Sequence, residues 1–259
     1  MPQSNMENHN HPWDYLYKLG KQSFTPGGKE LTEKMVELIN INTKDKIVEY
    51  APGLGNMSRI LLQYKPLEYT AIDNNKMIAN YWSKQKKVYA KAFRQAPFWE
   101  TGKNKESISK SLGENFLITL TQAQQQQLLE EAAHITKVGG LLGLHEIVLA
   151  DSEEALRLQD SIQKELSMKL QHPVKIRSKA EWLELLKKYQ FDLHAEAQGA
   201  LQTTKTRALL NEENWFRNVT ICCNWLIDKT NRSRLQDLIH TLKKYEPHLK
   251  AQVLVAIRE

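Results

Sequence analysis

The 259-residue sequence predicts an α/β protein, with a largely parallel sheet and helices on both of its faces. Three observations predict it. Short β-rich runs alternate with helical patterns between Lys46 and Phe93. The most apolar segment, Leu141 to Leu149, reads as a strand buried on both faces, as strands of a central parallel sheet are. The first β-run ends in Ala51-Pro52-Gly53-Leu54-Gly55-Asn56, a glycine-bearing bend that opens directly into a helix.

Each element follows from its residues. Trp13 to Phe24 is polar and aromatic and reads as a short lead helix, closed by the turn Thr25-Pro26-Gly27-Gly28. Leu31, Met35, Leu38 and Ile39 carry helical spacing. Lys46 to Tyr50 is the first strand, followed by a helix with Met57, Ile60, Leu61 and Leu62 on its apolar positions. Glu68 to Ile72 is the second strand, closing on Asp73-Asn74-Asn75, and Lys87 to Phe93 is the third after a helix through Met77, Ile78 and Tyr81. A fourth strand is expected near Ser107 to Glu114. Gln122 to Ile135 is an amphipathic helix whose glutamine run is too short for a low-complexity segment. Val138-Gly139-Gly140 turns into the fifth strand. Helices over Ser152 to Leu170 and Lys179 to Tyr189, a strand over Phe191 to Ala200, a helical basic stretch from Thr203 to Tyr245 and a final strand, Ala251 to Ile257, complete the chain.

Composition narrows the function classes. Hydrophobic residues at 41% and charged residues at 25% are those of an ordinary globular protein. No run approaches the roughly 18–20 uncharged apolar residues of a membrane span. The N-terminus has no basic head and apolar block, so no secretory signal is read there. Cys222 and Cys223 are adjacent, which excludes a disulfide framework, favours a reducing cytoplasm and reads as buried small apolar residues. The net charge of +6 is spread over small lysine groups, such as Lys84, Lys86 and Lys87, that read as solvated helix faces or as an anion-binding patch. No nucleic-acid-binding motif accompanies them, so a nucleic-acid partner is not expected.

Chemistry concentrates at strand ends, because open α/β sheets bind ligands outside the carboxyl ends of their strands. Gly53 and Gly55 let backbone approach a ligand, and the helix beyond supplies unpaired N–H donors. Asn56-Met57-Ser58 replaces the third glycine of a pyrophosphate site. Asp73, about twenty residues on, can accept bonds from the ribose hydroxyls of an adenosine ligand; the alternative is a helix cap, for which Asn74 and Asn75 also qualify. His145 and Glu146 end the most buried strand. His145 is either a core imidazole bonded to backbone or a catalytic or substrate contact. His194 and Glu196 are weaker candidates for the same role, and the other histidines read as surface residues.

These residues resemble the class I S-adenosylmethionine-dependent methyltransferases, of the type acting on small molecules. Val48-Glu49-Tyr50-Ala51-Pro52-Gly53-Leu54-Gly55 is similar to their glycine motif, Tyr69 to Asp73 to their second motif, and Ala132 to Glu146 to their Gly-Gly turn and fifth strand. The terminal HLKAQVLVAIRE is similar to their last hairpin strand. The resemblance implies a Rossmann-like, mostly parallel seven-stranded sheet. It divides the chain into an N-terminal lid segment (1–30), a cofactor-binding core (31–150) and a helical insert with the last strands that completes the same domain (151–259). The cofactor implied is S-adenosyl-L-methionine. Its contacts would come from Glu49, Ala51, Pro52, Gly53, Gly55, Asp73, Asn74, Ala92, Glu114 and Asn115. Glu49 would orient the loop and reach the amino group, Asp73 would hold the ribose, Asn74 would cover an adenine face, and Glu114 to Phe116 would sit beside the methyl group. His145, Glu146 and Glu114 are the catalytic candidates; the acceptor is a small molecule of unread identity. Methyl transfer is an in-line displacement for which positioning and desolvation can suffice.

Four departures from the family pattern stand out, one of them a fourth strand without a clean Asp-x-Val pattern, where Glu114 after Gly113 takes the acidic place at the carboxyl end. Ala51 replaces the first glycine, Val138 replaces a proline, and Lys91 falls where an acidic residue commonly holds the adenine amino group, a bond that lysine cannot accept. They keep open a second reading, a non-catalytic binding protein on the same fold with a cofactor, RNA or protein partner. A nucleotide-linked dehydrogenase is a third. The aromatic lead segment is expected to act as a lid, and the insert with Trp182, Trp215 and Trp225 to shape the acceptor pocket.

Overall fold

The computed structural model describes residues 14–21, 24–85, 92–204 and 215–259, with 215–220 described by backbone alone. It contains a seven-stranded sheet: β1 (Lys46–Tyr50), β2 (Glu68–Asp73), β3 (Phe93–Gln95), β4 (Ile108–Glu114), β5 (Thr136–Leu149), β6 (Phe191–Gly199) and β7 (Leu249–Arg258). Their spatial order is β3-β2-β1-β4-β5-β7-β6. The pairs from β3 to β5 are parallel, and β7 runs antiparallel between β5 and β6.

Among the described residues the helices are α1 (Asp14–Lys18), α2 (Gly28–Ile39), α3 (Asn56–Gln63), α4 (Lys76–Ser83), α5 (Gln122–Ile135), α6 (Glu153–Leu170), α7 (Lys179–Lys188), α8 (Trp215–Ile227) and α9 (Lys229–Lys244). Thr32, Met35, Val36 and Ile39 give α2 one buried face, which packs on β5, β6 and β7. Start signals are chemical: Asn75 caps α4, Ser152 caps α6, and capping boxes start α5 (Thr121 with Gln124) and α7 (Ser178 with Glu181). The glutamine run thus has assigned work. Gln124 closes a cap, and buried Gln125 donates to the Leu117 carbonyl (2.8 Å) and accepts from Arg177 Nε (2.9 Å).

Several expectations are corrected. Val138-Gly139-Gly140 lies within β5 as a bulge: the register with β4 jumps from Ile108↔Thr136 to Lys110↔Leu141, and Gly139 takes a φ of 73°. Among the described residues the third strand is Phe93–Gln95; most of the expected Lys87 to Phe93 run lies outside the described residues, as do Lys86, Lys91, Trp13 and the Thr203 to Tyr245 stretch at 205–214. Cys222 and Cys223 are exposed. The buried side of α8 is set by Ile221 and, one turn on, Trp225, which packs against the core, so positions 222 and 223 point to solvent.

The topology positions the site. The chain leaves β1 to β2 on one side and reaches β4 on the other, which opens a crevice at the carboxyl ends of β1 and β4. Helix α1 covers that end. Its Tyr15, Leu16 and neighbouring Leu19 are buried in one cluster with Leu235, Leu238 and Leu242 of α9 and Ile162 and Leu166 of α6. Helices α6 and α9 therefore back α1.

Candidate functional site

A cleft lies at this crevice, at the carboxyl ends of β1 and β4. Glu49, Ala51, Pro52 and Gly53 form its floor after β1, Glu114 and Asn115 its wall at the end of β4, and Leu16, Tyr17, Lys21, Phe24 and Thr25 its roof; Asn56 and Met57 also line it. Among the described lining residues, none comes from the insert.

The loop after β1 has an unusual backbone. Ala51, Gly53 and Gly55 all take left-handed φ values, 51°, 52° and 80°. That region is strained for a residue with a Cβ, which explains why glycine suits position 51 in the resembling family. A Cβ on Gly53 would stand 2.8 Å from Tyr17 Oη. The buried indole of Trp82 on α4 donates from Nε1 to the Gly53 carbonyl (2.8 Å) and fixes the loop from beneath.

Two carboxylates flank the loop and both are buried. Glu49 is 0% exposed; its Oε2 accepts a bond from Tyr69, while Oε1 has no partner. Burial pushes its carboxyl up from 4.5 to about 7. Asp73 is 3% exposed and accepts from the Asn75 N–H at 2.9 Å. Burial pushes it up from 3.8 to about 7, with the charge of Asp14 adding to the effect. Asp14 itself accepts a bond from Asn75 Nδ2 (2.7 Å), so α1 is latched over the end of β2. Asn75 caps α4, which leaves Asp73 free of the cap role weighed against it.

At the end of β4 the side chains form one network. His145 is 0% exposed and both ring nitrogens are engaged: Nε2 receives the Gly27 N–H (3.0 Å) and Nδ1 meets Glu114 Oε1 (2.7 Å). Thr32 Oγ1 donates to the same Glu114 oxygen at 2.5 Å, its nearer acceptor compared with the Gly28 carbonyl at 3.4 Å. Asn115, with φ 50°, turns the chain; it donates its backbone N–H to the His145 carbonyl (2.9 Å) and its Nδ2 to the Phe24 carbonyl (2.6 Å). Glu146 Oε1 accepts the N–H groups of Phe116 and Leu117 (3.1 and 3.2 Å), which starts the 3₁₀ turn Leu117–Thr119. Burial pushes Glu146 up to about 8.

The structure thus brings Glu49, Ala51, Pro52, Gly53, Glu114 and Asn115 together on the cleft. Gly55, Asp73, Asn74, Ala92, His145 and Glu146 do not line it: Gly55 belongs to a second hollow with Arg59, Tyr81 and Trp82, Asp73 is buried near Asp14 of α1, Asn74 is exposed, and His145 and Glu146 sit behind the wall. His194 and Glu196 are exposed on the edge strand β6. Thr32, Gly27 and Trp82 carry no motif in the sequence; helical spacing and a Gly-Gly turn were their only signals. Among the described residues no group of three or more metal-ligating side chains converges, and no helix is long and apolar enough to cross a membrane.

The residues fit S-adenosylmethionine on two observations. Glu49 Oε1 is a buried acceptor without a partner at the cleft, and Gly53 leaves backbone bare where a Cβ would intrude.

No family model matches the sequence, and no curated protein does. Solved structures do. A putative sarcosine dimethylglycine methyltransferase from Galdieria sulphuraria superposes with a TM-score of 0.71 at 12% identity, covering 96% of this chain and 99% of that one. The [4+2]-cyclase SpnF gives 0.68 at 12% identity, covering 95% and 93%. Geranyl diphosphate C-methyltransferase from Streptomyces coelicolor A3(2), solved with Mg2+, geranyl diphosphate and S-adenosyl-L-homocysteine, gives 0.64 at 11% identity, covering 89% and 79%. With its seven strands in this order and one of them antiparallel, the chain has the Rossmann-like fold of the class I S-adenosylmethionine-dependent methyltransferases.

Proposed function

We propose that the protein binds S-adenosyl-L-methionine in this cleft and transfers its methyl group to a small-molecule acceptor. The observation that carries the reading is the unpartnered, buried Oε1 of Glu49 beside a loop of three left-handed residues, at the switch point of the sheet. When bound, the cofactor supplies an electrophilic methyl group on a sulfonium. Glu49 faces its amino group, and ionises as that cation arrives. The backbone of Ala51 to Gly53 lies against the chain and sugar. Asp73 accepts from the ribose hydroxyls once Asp14 and Tyr17 of α1 move aside, and Asn74 covers the adenine. Glu114 stands beside the transferred group and takes a proton from the acceptor where its nucleophile carries one. His145 acts through Glu114, since its own Nε2 is filled by Gly27. Tyr17, Lys21 and Phe24 exclude water from above. The two exposed, unpaired cysteines suit a reducing cytoplasm.

One observation favours the non-catalytic reading: both His145 nitrogens are occupied within the protein. Calorimetry with S-adenosylmethionine and S-adenosylhomocysteine, followed by mass spectrometry of a small-molecule extract incubated with methyl-labelled donor, separates the two. Micromolar binding of both ligands, lost in Asp73→Ala, together with a labelled product supports the enzyme. Binding with no labelled product supports the alternative, and no binding removes the cofactor reading.

A further inference from the structure

Among the described residues Glu114 and Glu49 are the two carboxylates on the cleft, and the surroundings of Glu114 are asymmetric. Oε1 accepts from Thr32 Oγ1 and meets His145 Nδ1. The imidazole tautomer follows from its other contact: the Gly27 N–H occupies Nε2, so the ring proton is on Nδ1 and points at Glu114. Oε2 has no hydrogen-bond partner among the described residues, and the side chain lines the cleft. Two carboxylate oxygens on cleft-lining residues are therefore left without a partner among the described residues, the buried Oε1 of Glu49 in the floor and Oε2 of Glu114 in the wall, beside the uncharged Oδ1 of Asn115. Lys21, on the roof, is already engaged in an interaction of its own.

Such a cleft matches a ligand with two positive centres. We propose that Glu114 is the specificity-determining residue of the donor site: its free oxygen reads the positive charge at the methyl-bearing centre, so the protein prefers the sulfonium donor to its neutral thioether product. Thr32 and His145 are positioning residues that hold Oε1 and leave Oε2 to the ligand. The inference rests on the proposed methyl-donor site and deepens it. Its consequence is a turnover device, because the product loses the charge that Glu114 holds and is released in favour of fresh donor. An ion pair in a part-screened cleft supports a discrimination of about tenfold.

The test is calorimetry with three ligands: S-adenosylmethionine, S-adenosylhomocysteine, and sinefungin, which carries an ammonium where the donor carries its methylsulfonium. The wild type is expected to bind the two cations about tenfold more tightly than S-adenosylhomocysteine. Glu114→Gln is expected to narrow that ratio to within about threefold while keeping its affinity for S-adenosylhomocysteine, which also shows that the fold survives. Thr32→Val, which keeps the carboxylate but leaves Oε1 to His145 alone, is expected to give an intermediate ratio. Equal wild-type affinities for all three ligands overturn the inference without any variant, and so does an unchanged ratio in Glu114→Gln. Failure of all three ligands to bind the wild type refutes the donor site itself and is distinguishable from either result.

Discussion

Glu49 is buried for binding at a cost to the empty protein, and the cost can be measured. Its carboxyl is pushed up from 4.5 to about 7 by burial. A group whose native value is raised binds more protons in the native than in the unfolded state, so its contribution is full below about pH 4.5 and is lost as pH rises through about 7. A shift of that size amounts to about 3 kcal/mol in full, and between pH 5 and 8 about 2–3 kcal/mol of it is lost. Glu49→Gln removes the titration while keeping an acceptor for Tyr69. Asp73 and Glu146 titrate over the same range in both proteins, so the difference between wild type and variant isolates Glu49. Thermal unfolding of the ligand-free proteins is the assay. For a chain of this length about 2–3 kcal/mol corresponds to a Tm difference of roughly 4–12 °C, so the wild type should lose that much more than the variant between pH 5 and pH 8. Parallel Tm curves over this range would refute the reasoning. The variant should also bind S-adenosylhomocysteine at least tenfold more weakly at pH 8.

Other substitutions probe the loop and its supports. Gly53→Val, at φ 52° and facing Tyr17, is expected to abolish S-adenosylhomocysteine binding and cost about 1–3 kcal/mol in urea unfolding, with an unchanged far-UV spectrum. Ala51→Gly relieves a left-handed alanine and should stabilise the protein by about 0.5–1 kcal/mol, read as a higher urea midpoint at constant slope. Trp82→Phe keeps an aromatic ring but removes the N–H bonded to Gly53, for a loss of about 1 kcal/mol and several-fold weaker S-adenosylhomocysteine binding by calorimetry. Binding of S-adenosylhomocysteine should strengthen from pH 6 to pH 8 with proton release from Glu49, seen as a buffer-dependent calorimetric enthalpy.

The central strands were legible because they are apolar and buried on both faces. Leu141 to Leu149 could be little else, and the loop after Tyr50 announces itself through its glycines. Asp73 ends its strand as the sequence places it, and is buried there. What local sequence hides is partnership across the chain. His145 is bonded to Gly27, 118 positions away, and Glu114 to Thr32, 82 away; either residue read alone allows a free catalytic imidazole or a held one. Glu146 looks like a neighbour of the site yet turns its oxygen to the N–H groups of Phe116 and Leu117. Trp82 belongs to a helix whose spacing says only that it is inward. The cysteines failed for a related reason: apolar character does not say which side of α8 meets the core, and Ile221 and Trp225 took that side.

A crystal structure of the protein with S-adenosylhomocysteine tests the central claim most directly. The ligand's amino group is expected within hydrogen-bond distance of Glu49 Oε1, its ribose hydroxyls on the Asp73 carboxylate, and α1 displaced from Asn75. A ligand bound elsewhere, or one in the cleft with Glu49 still unpartnered and Asp73 still under Asp14, would contradict it.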